Sequence, residues 1–200
     1  MVWRIFCFVL AISIGLLLFG IYTIYSARSA LNNVPEAFAF GPEDADISMI
    51  GFLDYSCTHC RDSYAPVMEA IKKDGKVKFT PLLVSPPEST DEYAMRLTYG
   101  AGLQDKYKEA FQEIMGNYRA IGKSDVTDFA LKLGLDSEKL EKSVNDPIVD
   151  RLVLKSQAVF RNMNGQYTPT FFIGSNIKYV PTVTPTAEDF LRIFKEARGQ

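Results

Sequence analysis

The sequence predicts an α/β fold, with a βαβ unit and a ββα unit sharing one sheet and a helical block between them. Three observations carry this prediction. An apolar run, Ile47 to Leu53, leads into Cys57-Thr58-His59-Cys60 and then into a stretch able to form a helix. From about Glu88 to Asn162 the apolar residues recur at helical spacing. Strand character then returns at Thr168-Pro169-Thr170-Phe171-Phe172-Ile173-Gly174, ahead of a short partner and a last helix.

Size and composition fit this reading. The 200 residues are 47% apolar and 23% charged, with 14 Phe and 10 Tyr, enough for one domain with an inserted subdomain. The net charge of −2 and the absence of a Lys/Arg block argue against nucleic acid as a partner.

The first 25 residues are different in kind. Ile5 to Tyr25 is a run of 21 residues without a charge, preceded by Arg4 and followed by Arg28. As a helix rising about 1.5 Å per residue it would cross a hydrocarbon layer of about 30 Å. It exceeds a signal h-region of about 7–15 residues, so residues 1–29 read as a transmembrane signal anchor. Ala27 and Ser29 offer a cleavage site as the alternative. A disulfide-forming site has work in an oxidising compartment, so residues 30–200 are expected outside the cytoplasm. Cys7 lies inside the apolar run, out of reach of the other two cysteines.

The elements follow in order. Ala37 to Phe40 reads as a short edge strand. Ile47 to Leu53 is mostly apolar, as a strand covered on both faces is. Arg61 to Lys72 reads as a helix kinked at Pro66 and ended by Asp74-Gly75. Val77 to Val84 is the second strand, where Pro81 demands an edge position or a bulge. The helical insertion spans 88–162. Ser89 or Thr90 caps its first helix, which continues through Leu103. Asp105 to Met115, Ser124 to Leu133 and Asp136 to Val144 are the next helices. Asp146-Pro147 starts the last, with proline at its first position. After Thr168 to Gly174, Ile177 to Val180 is a hairpin partner. Thr186 caps a final helix with Asp189 in the reciprocal position, and Phe190, Ile193, Phe194 and Ala197 form its packed side.

A Cys-x-x-Cys at a strand-to-helix junction is the pattern of a thiol–disulfide redox site. Residues i and i+3 on a helix share a face, which brings the two sulfurs within disulfide reach. Cys57, at or next to the N-cap, would meet free amides and the positive helix end, which favour a thiolate. Cys60, one turn deeper, would resolve the mixed disulfide. His59, the only histidine, lies between them and would favour the Cys57 thiolate. The competing readings are an inert structural disulfide, a zinc site lacking a full ligand set, and a copper site of two thiolates and an imidazole. No cofactor and no resident metal are expected. Pro169, at the mouth of its strand, is either a turn proline or a cis proline.

These residues resemble the thioredoxin superfamily, and within it the disulfide-bond protein A (DsbA)-like thiol:disulfide oxidoreductases. The resemblance covers about Phe38 to Ala197. It rests on Phe52 to Cys60, on the helical insertion after the second strand, and on Thr168 to Gly174; the approach Phe40-Gly41-Pro42-Glu43-Asp44-Ala45 is also similar. It implies a thioredoxin fold with an all-helical insertion and Cys57 as nucleophile. It implies a cis Thr168–Pro169 bond packed against the disulfide, with Thr58 and the Thr168 backbone facing a substrate peptide. The expected function is oxidation of disulfides in extracytoplasmic client proteins, with reoxidation by a quinone-linked membrane partner. Isomerase or reductase activity is the alternative within the class, and a copper-delivery protein or a tethered chaperone the alternative outside it. The expected location is a bacterial inner membrane, spanned once, with the catalytic domain in the periplasm, or soluble there if the leader is cut. Two departures stand out. Thr58 occupies a position that is proline in the best-known oxidases. Gly51 stands where many members carry a buried acid, and Asp54 is the nearest acid to that place.

Overall fold

The computed structural model describes residues 13–15, 38–85, 91–118 and 121–200. Its centre is β1 (Ile47–Leu53), which pairs in parallel with β2 (Val77–Leu83) and antiparallel with β3 (Thr170–Ile173). β4 (Ile177–Tyr179) closes the hairpin, giving the order β2-β1-β3-β4. The helix α1 (Thr58–Asp74) joins β1 to β2, and α7 (Ala187–Ala197) ends the fold. Between β2 and β3 lie α2 (Glu92–Gly102), α3 (Tyr107–Gly116), a 3-10 turn (Lys123–Asp125), α4 (Val126–Leu133), α5 (Ser137–Ser143) and α6 (Pro147–Asn162). This is the βαβ, helical block, ββα order read from the sequence.

Local chemistry explains the boundaries. α1 starts at Thr58, three residues before the expected Arg61, because the Cys57 side chain serves as its cap. It continues through Pro66 and ends at Gly75, whose φ of +72° suits glycine and whose N–H bonds to the Ile71 carbonyl at 2.9 Å. Thr186 and Asp189 form the expected reciprocal cap of α7. Asp146 accepts from the Ile148 amide at 2.7 Å with Pro147 at the first helical position. Ser89 and Thr90 lie outside the described residues.

Pro81 sits on β2, an edge strand. Phe79 turns its N–H and carbonyl outward to an isolated bridge with Phe40, both bonds 2.8 Å long. Of the edge strand expected over Ala37 to Phe40, Ala37 lies outside the described residues and Phe40 alone forms that bridge. Two residues on, Pro81 also faces outward, so its missing N–H leaves no gap in the ladder with β1. Its carbonyl accepts from the Tyr107 hydroxyl at 2.8 Å.

Buried tyrosines fasten the helices to the sheet. Besides Tyr107, Tyr99 reaches Ser156 Oγ at 2.5 Å, and the Tyr55 hydroxyl meets Thr98 Oγ1 at 2.7 Å. One core lies on the face that packs Val67 and Ile71 of α1 and Phe190 and Phe194 of α7 against Phe171. A smaller one, Phe52, Leu82, Val84 and Val159, lies on the other face beneath α6. α6 covers only the C-terminal end of that face. β1 is therefore covered on both sides at Gly51–Leu53 but not at Ser48, which is exposed, a difference from the sequence reading.

The membrane anchor is the main correction. Of Ile5 to Tyr25 only Ser13, Ile14 and Gly15 fall within the described residues, and Cys7 does not. Among the described residues no helix is long and apolar enough to cross a membrane. A span needs about 20 consecutive apolar helical residues. The longest described helix, α1, has 17 and carries charges throughout. The membrane-anchored variant, the single pass through an inner membrane, the tether and the periplasmic placement built on it are withdrawn; the fold reading stands without them.

Candidate active site

The site is built where β1 ends. The chain turns through Asp54, Tyr55 and Ser56 into α1. The Asp54 carboxylate holds the turn, accepting from the Ser56 amide at 3.1 Å and the Ser56 hydroxyl at 2.9 Å. The Asp54 backbone addresses both cysteines: its carbonyl accepts from the Cys57 amide at 3.3 Å, and its N–H points at Cys60 Sγ at 3.5 Å. Asp54 is 4% exposed. Burial raises the pKa of its carboxyl, against the Ser56 hydrogen bonds.

Cys57 and Cys60 are free thiols in unlike settings. Cys57 is half-buried at the N-cap, where its Sγ accepts from the Cys60 amide at 3.3 Å and donates to the Thr168 carbonyl at 3.2 Å. Its pKa is lowered to about 6, first by hydrogen bonding from the Cys60 side chain, with further help from the Thr168 side chain and the Cys60 amide; partial burial and the Asp54 charge push the other way. Cys60 is fully buried, and burial, followed by its hydrogen bond to Cys57, pushes its thiol far up. One sulfur is a ready thiolate and the other a held proton.

The second wall comes from β3. Phe52 pairs with Thr170, and continuing that register places Pro169 opposite Leu53 and Thr168 opposite Asp54. The Thr168–Pro169 peptide is cis, Pro169 is buried and Thr168 half-buried. Thr58 and His59 are exposed on the first turn of α1. The imidazole makes no hydrogen bond among the described residues, whereas the His59 carbonyl accepts from Ser63 Oγ at 2.6 Å.

Arg61 is a site residue that the sequence reading took only as helix. Its guanidinium donates to the Tyr55 carbonyl at 2.6 Å and to Thr58 Oγ1 at 3.1 Å, and stacks 4.3 Å from the centre of the Tyr118 ring. The Tyr118 hydroxyl donates to the buried Asp91 carboxylate at 3.0 Å. The helical insertion thus grips the active-site turn through Tyr118. The one available signal was the position of Arg61 directly after Cys60. Among the described residues no three His, Cys, Asp or Glu side chains gather as a metal cluster.

A sheet of this order, with a reduced Cys-x-x-Cys at the head of α1 and a cis proline facing it, defines a thioredoxin-type thiol protein. The family model described as Thioredoxin matches residues 33–194, and the chain belongs to that family. Its fold is similar to a thioredoxin-like oxidoreductase from Silicibacter pomeroyi DSS-3, at 24% identity and a TM-score of 0.75, covering 86% of this chain and 98% of that one. It is similar to the catalytic domain of Proteus mirabilis ScsC, at 16% identity and a TM-score of 0.75, covering 90% and 98%. It is also similar to the thiol-disulfide exchange protein alpha-DsbA2 from Wolbachia pipientis, at 18% identity and a TM-score of 0.69, covering 86% and 96%. These likenesses establish the DsbA-like fold with its helical insertion. Among curated proteins the chain is 28% identical to the Na(+)/H(+) antiporter NhaA 1 of Mycobacterium sp. (strain KMS), over 66% of this chain and 22% of that protein. A NhaA antiporter of Herminiimonas arsenicoxydans matches at 23% identity over 66% and 21%. The chain spans about a fifth of the length of these curated relatives.

Proposed function

We propose that this protein is a thiol:disulfide oxidoreductase that exchanges disulfides with client polypeptides through Cys57 and Cys60, in the oxidising direction. One observation carries the reading. Cys57 is an accessible thiol with a pKa near 6, and Cys60, one turn away, is buried with its proton held.

The chemistry follows from that asymmetry. In the oxidised pair, a client thiolate attacks Cys57 Sγ, the Cys57–Cys60 bond breaks, and Cys60 leaves and takes up a proton. A second client thiolate attacks the client sulfur of the mixed disulfide. The client disulfide forms, and Cys57 departs as a thiolate that is stable at neutral pH. Two electrons pass from client to protein. A stabilised Cys57 thiolate favours the reduced protein, which makes the disulfide the stronger oxidant. His59 lies between the two cysteines in the chain and is exposed on the first turn of α1, where it can meet a client. Thr58 and Thr168 border the approach to Cys57, and the Thr168 carbonyl loses its donor when Cys57 ionises, leaving it free for a client amide. Pro169 closes the wall opposite Cys57. Turnover needs an electron acceptor, a role that the quinone-linked partner implied by the resemblance would fill.

The test adds the full chain to a reduced, unfolded client in a glutathione buffer. Disulfide formation faster than in buffer alone, lost with Cys57→Ala, supports the proposal. No acceleration, or full activity in that variant, overturns it.

A further inference from the structure

Beside the active site lies a cleft of about 430 Å³ that the exchange chemistry does not use. Val84, just past β2, forms part of its floor with Phe160 of α6. Gln157 and Arg161 of α6 and Gln166 of the following loop line it further, and Thr168 forms its end nearest Cys57. The volume lies within the range of small-ligand pockets, about 300–1,000 Å³, and an aromatic side chain fits easily.

The cleft is a built feature. The Phe160 ring packs 5.1 Å from that of Phe52, which is fully buried. Gly165 lets the loop after α6 close over this ring: a Cβ there would fall 2.1 Å from it. The floor is apolar and fixed, while the rim carries two amides and a guanidinium. Arg161 is exposed and makes no ion pair among the described residues. Leu154, 62% exposed, precedes Gln157 and Arg161 on the same face of α6, and Tyr167, 69% exposed, adjoins Thr168.

We propose that this cleft selects among clients, taking a large apolar side chain of the segment that carries the client cysteine, with an acidic residue of that segment paired to Arg161. This rests on the exchange reading above. The distances agree. In an extended segment, side chains two positions apart lie on one face, about 7 Å apart. A client cysteine joined to Cys57 sits against Thr168, whose carbonyl is 3.2 Å from Cys57 Sγ. Thr168 also lines the cleft, so the residue two positions from the client cysteine reaches it. A carboxylate of the client segment is the group that an exposed guanidinium such as Arg161 pairs with. Clients with small or basic residues around the cysteine gain nothing from either feature.

The experiment uses the Cys60→Ala chain, in which the exchange stops at the mixed disulfide. The Cys57 thiolate attacks a peptide homodisulfide, one peptide stays bound through sulfur, and the other leaves as a thiol. One peptide has Phe two positions and Glu four positions from its cysteine on both sides, so that both share the face of the cysteine; the other has Ala and Lys there. The Phe/Glu peptide is expected to react about tenfold faster, the scale of filling an apolar pocket. That ratio should fall towards one in Gln157→Trp, which fills the cleft, and in Arg161→Glu, which repels the acid. Equal rates for the two peptides, or a ratio unchanged by both substitutions, overturn the proposal. Hydroxyethyl disulfide, too small to use the cleft, separates the two readings. If it reacts while the peptides do not differ, only the cleft assignment fails. If neither it nor the peptides react with Cys57, the exchange reading fails and the cleft with it.

Discussion

Cys57 Sγ lies 3.2 Å from the Thr168 carbonyl oxygen, although 111 residues separate the two in sequence. The antiparallel pairing of β1 with β3 creates this neighbourhood by carrying Thr168 opposite Asp54. The thiol can donate to that carbonyl and the thiolate cannot. Ionisation of Cys57 therefore changes what the carbonyl can bind as well as the sulfur's reactivity.

The Cys57 thiolate should form with a midpoint near pH 6, read from the thiolate absorbance or from alkylation by iodoacetamide. At pH 7 about nine-tenths of it would be ionised. Cys60 should stay protonated and unalkylated in the folded protein, because burial raises its pKa. Cys60→Ala should move the Cys57 midpoint upward by removing the hydrogen bond from Cys60 that does most to stabilise its thiolate.

The reduced protein should grow more stable from about pH 6 to pH 9. Folding lowers the Cys57 pKa from 9.0 to about 6, so its contribution is complete above the unfolded value and is lost as pH falls through the folded one. Urea midpoints of the reduced wild-type and Cys57→Ser chains should diverge over this range. Parallel curves would contradict the shift.

Asp54→Asn should lower the Cys57 midpoint further. The Asp54 charge opposes the thiolate, while asparagine keeps an oxygen for the Ser56 amide. The same absorbance titration reads the change, and an upward shift would contradict it.

Arg61→Met should destabilise the fold by about 1–2 kcal/mol in urea unfolding, since it removes a cation–π interaction and a hydrogen bond to a backbone carbonyl. Methionine can neither stack a charge on the Tyr118 ring nor donate to the Tyr55 carbonyl, as the guanidinium does. A change within experimental error would show that the insertion is held by its buried tyrosines alone.

The sequence made the element order, the capping box at Thr186 and the edge position of Pro81 legible, because each follows from local chemistry. Cys57 as the N-cap was equally local. The helix run over Arg61 to Lys72 began three residues late because Thr58 and His59 are only middling helix formers, although the Cys57 sulfur caps the helix by accepting the Cys60 amide. The clasp of Arg61, Tyr118 and Asp91 was not legible, since it joins three segments that only the packed insertion brings together. The cleft under Phe160 depends in the same way on α6 meeting the end of β2. Reading the apolar run of Ile5 to Tyr25 as an anchor drew on its length, its lack of charge and its flanking arginines, and no described helix is long and apolar enough to cross a membrane.

The most direct test is the redox equilibrium of the Cys57–Cys60 pair against glutathione. The expected potential lies nearer that of a strong oxidant, about −120 mV, than that of thioredoxin, about −270 mV. A pair at or below the thioredoxin value, or one that never equilibrates with glutathione, would contradict the assignment of Cys57 as an oxidising exchange centre.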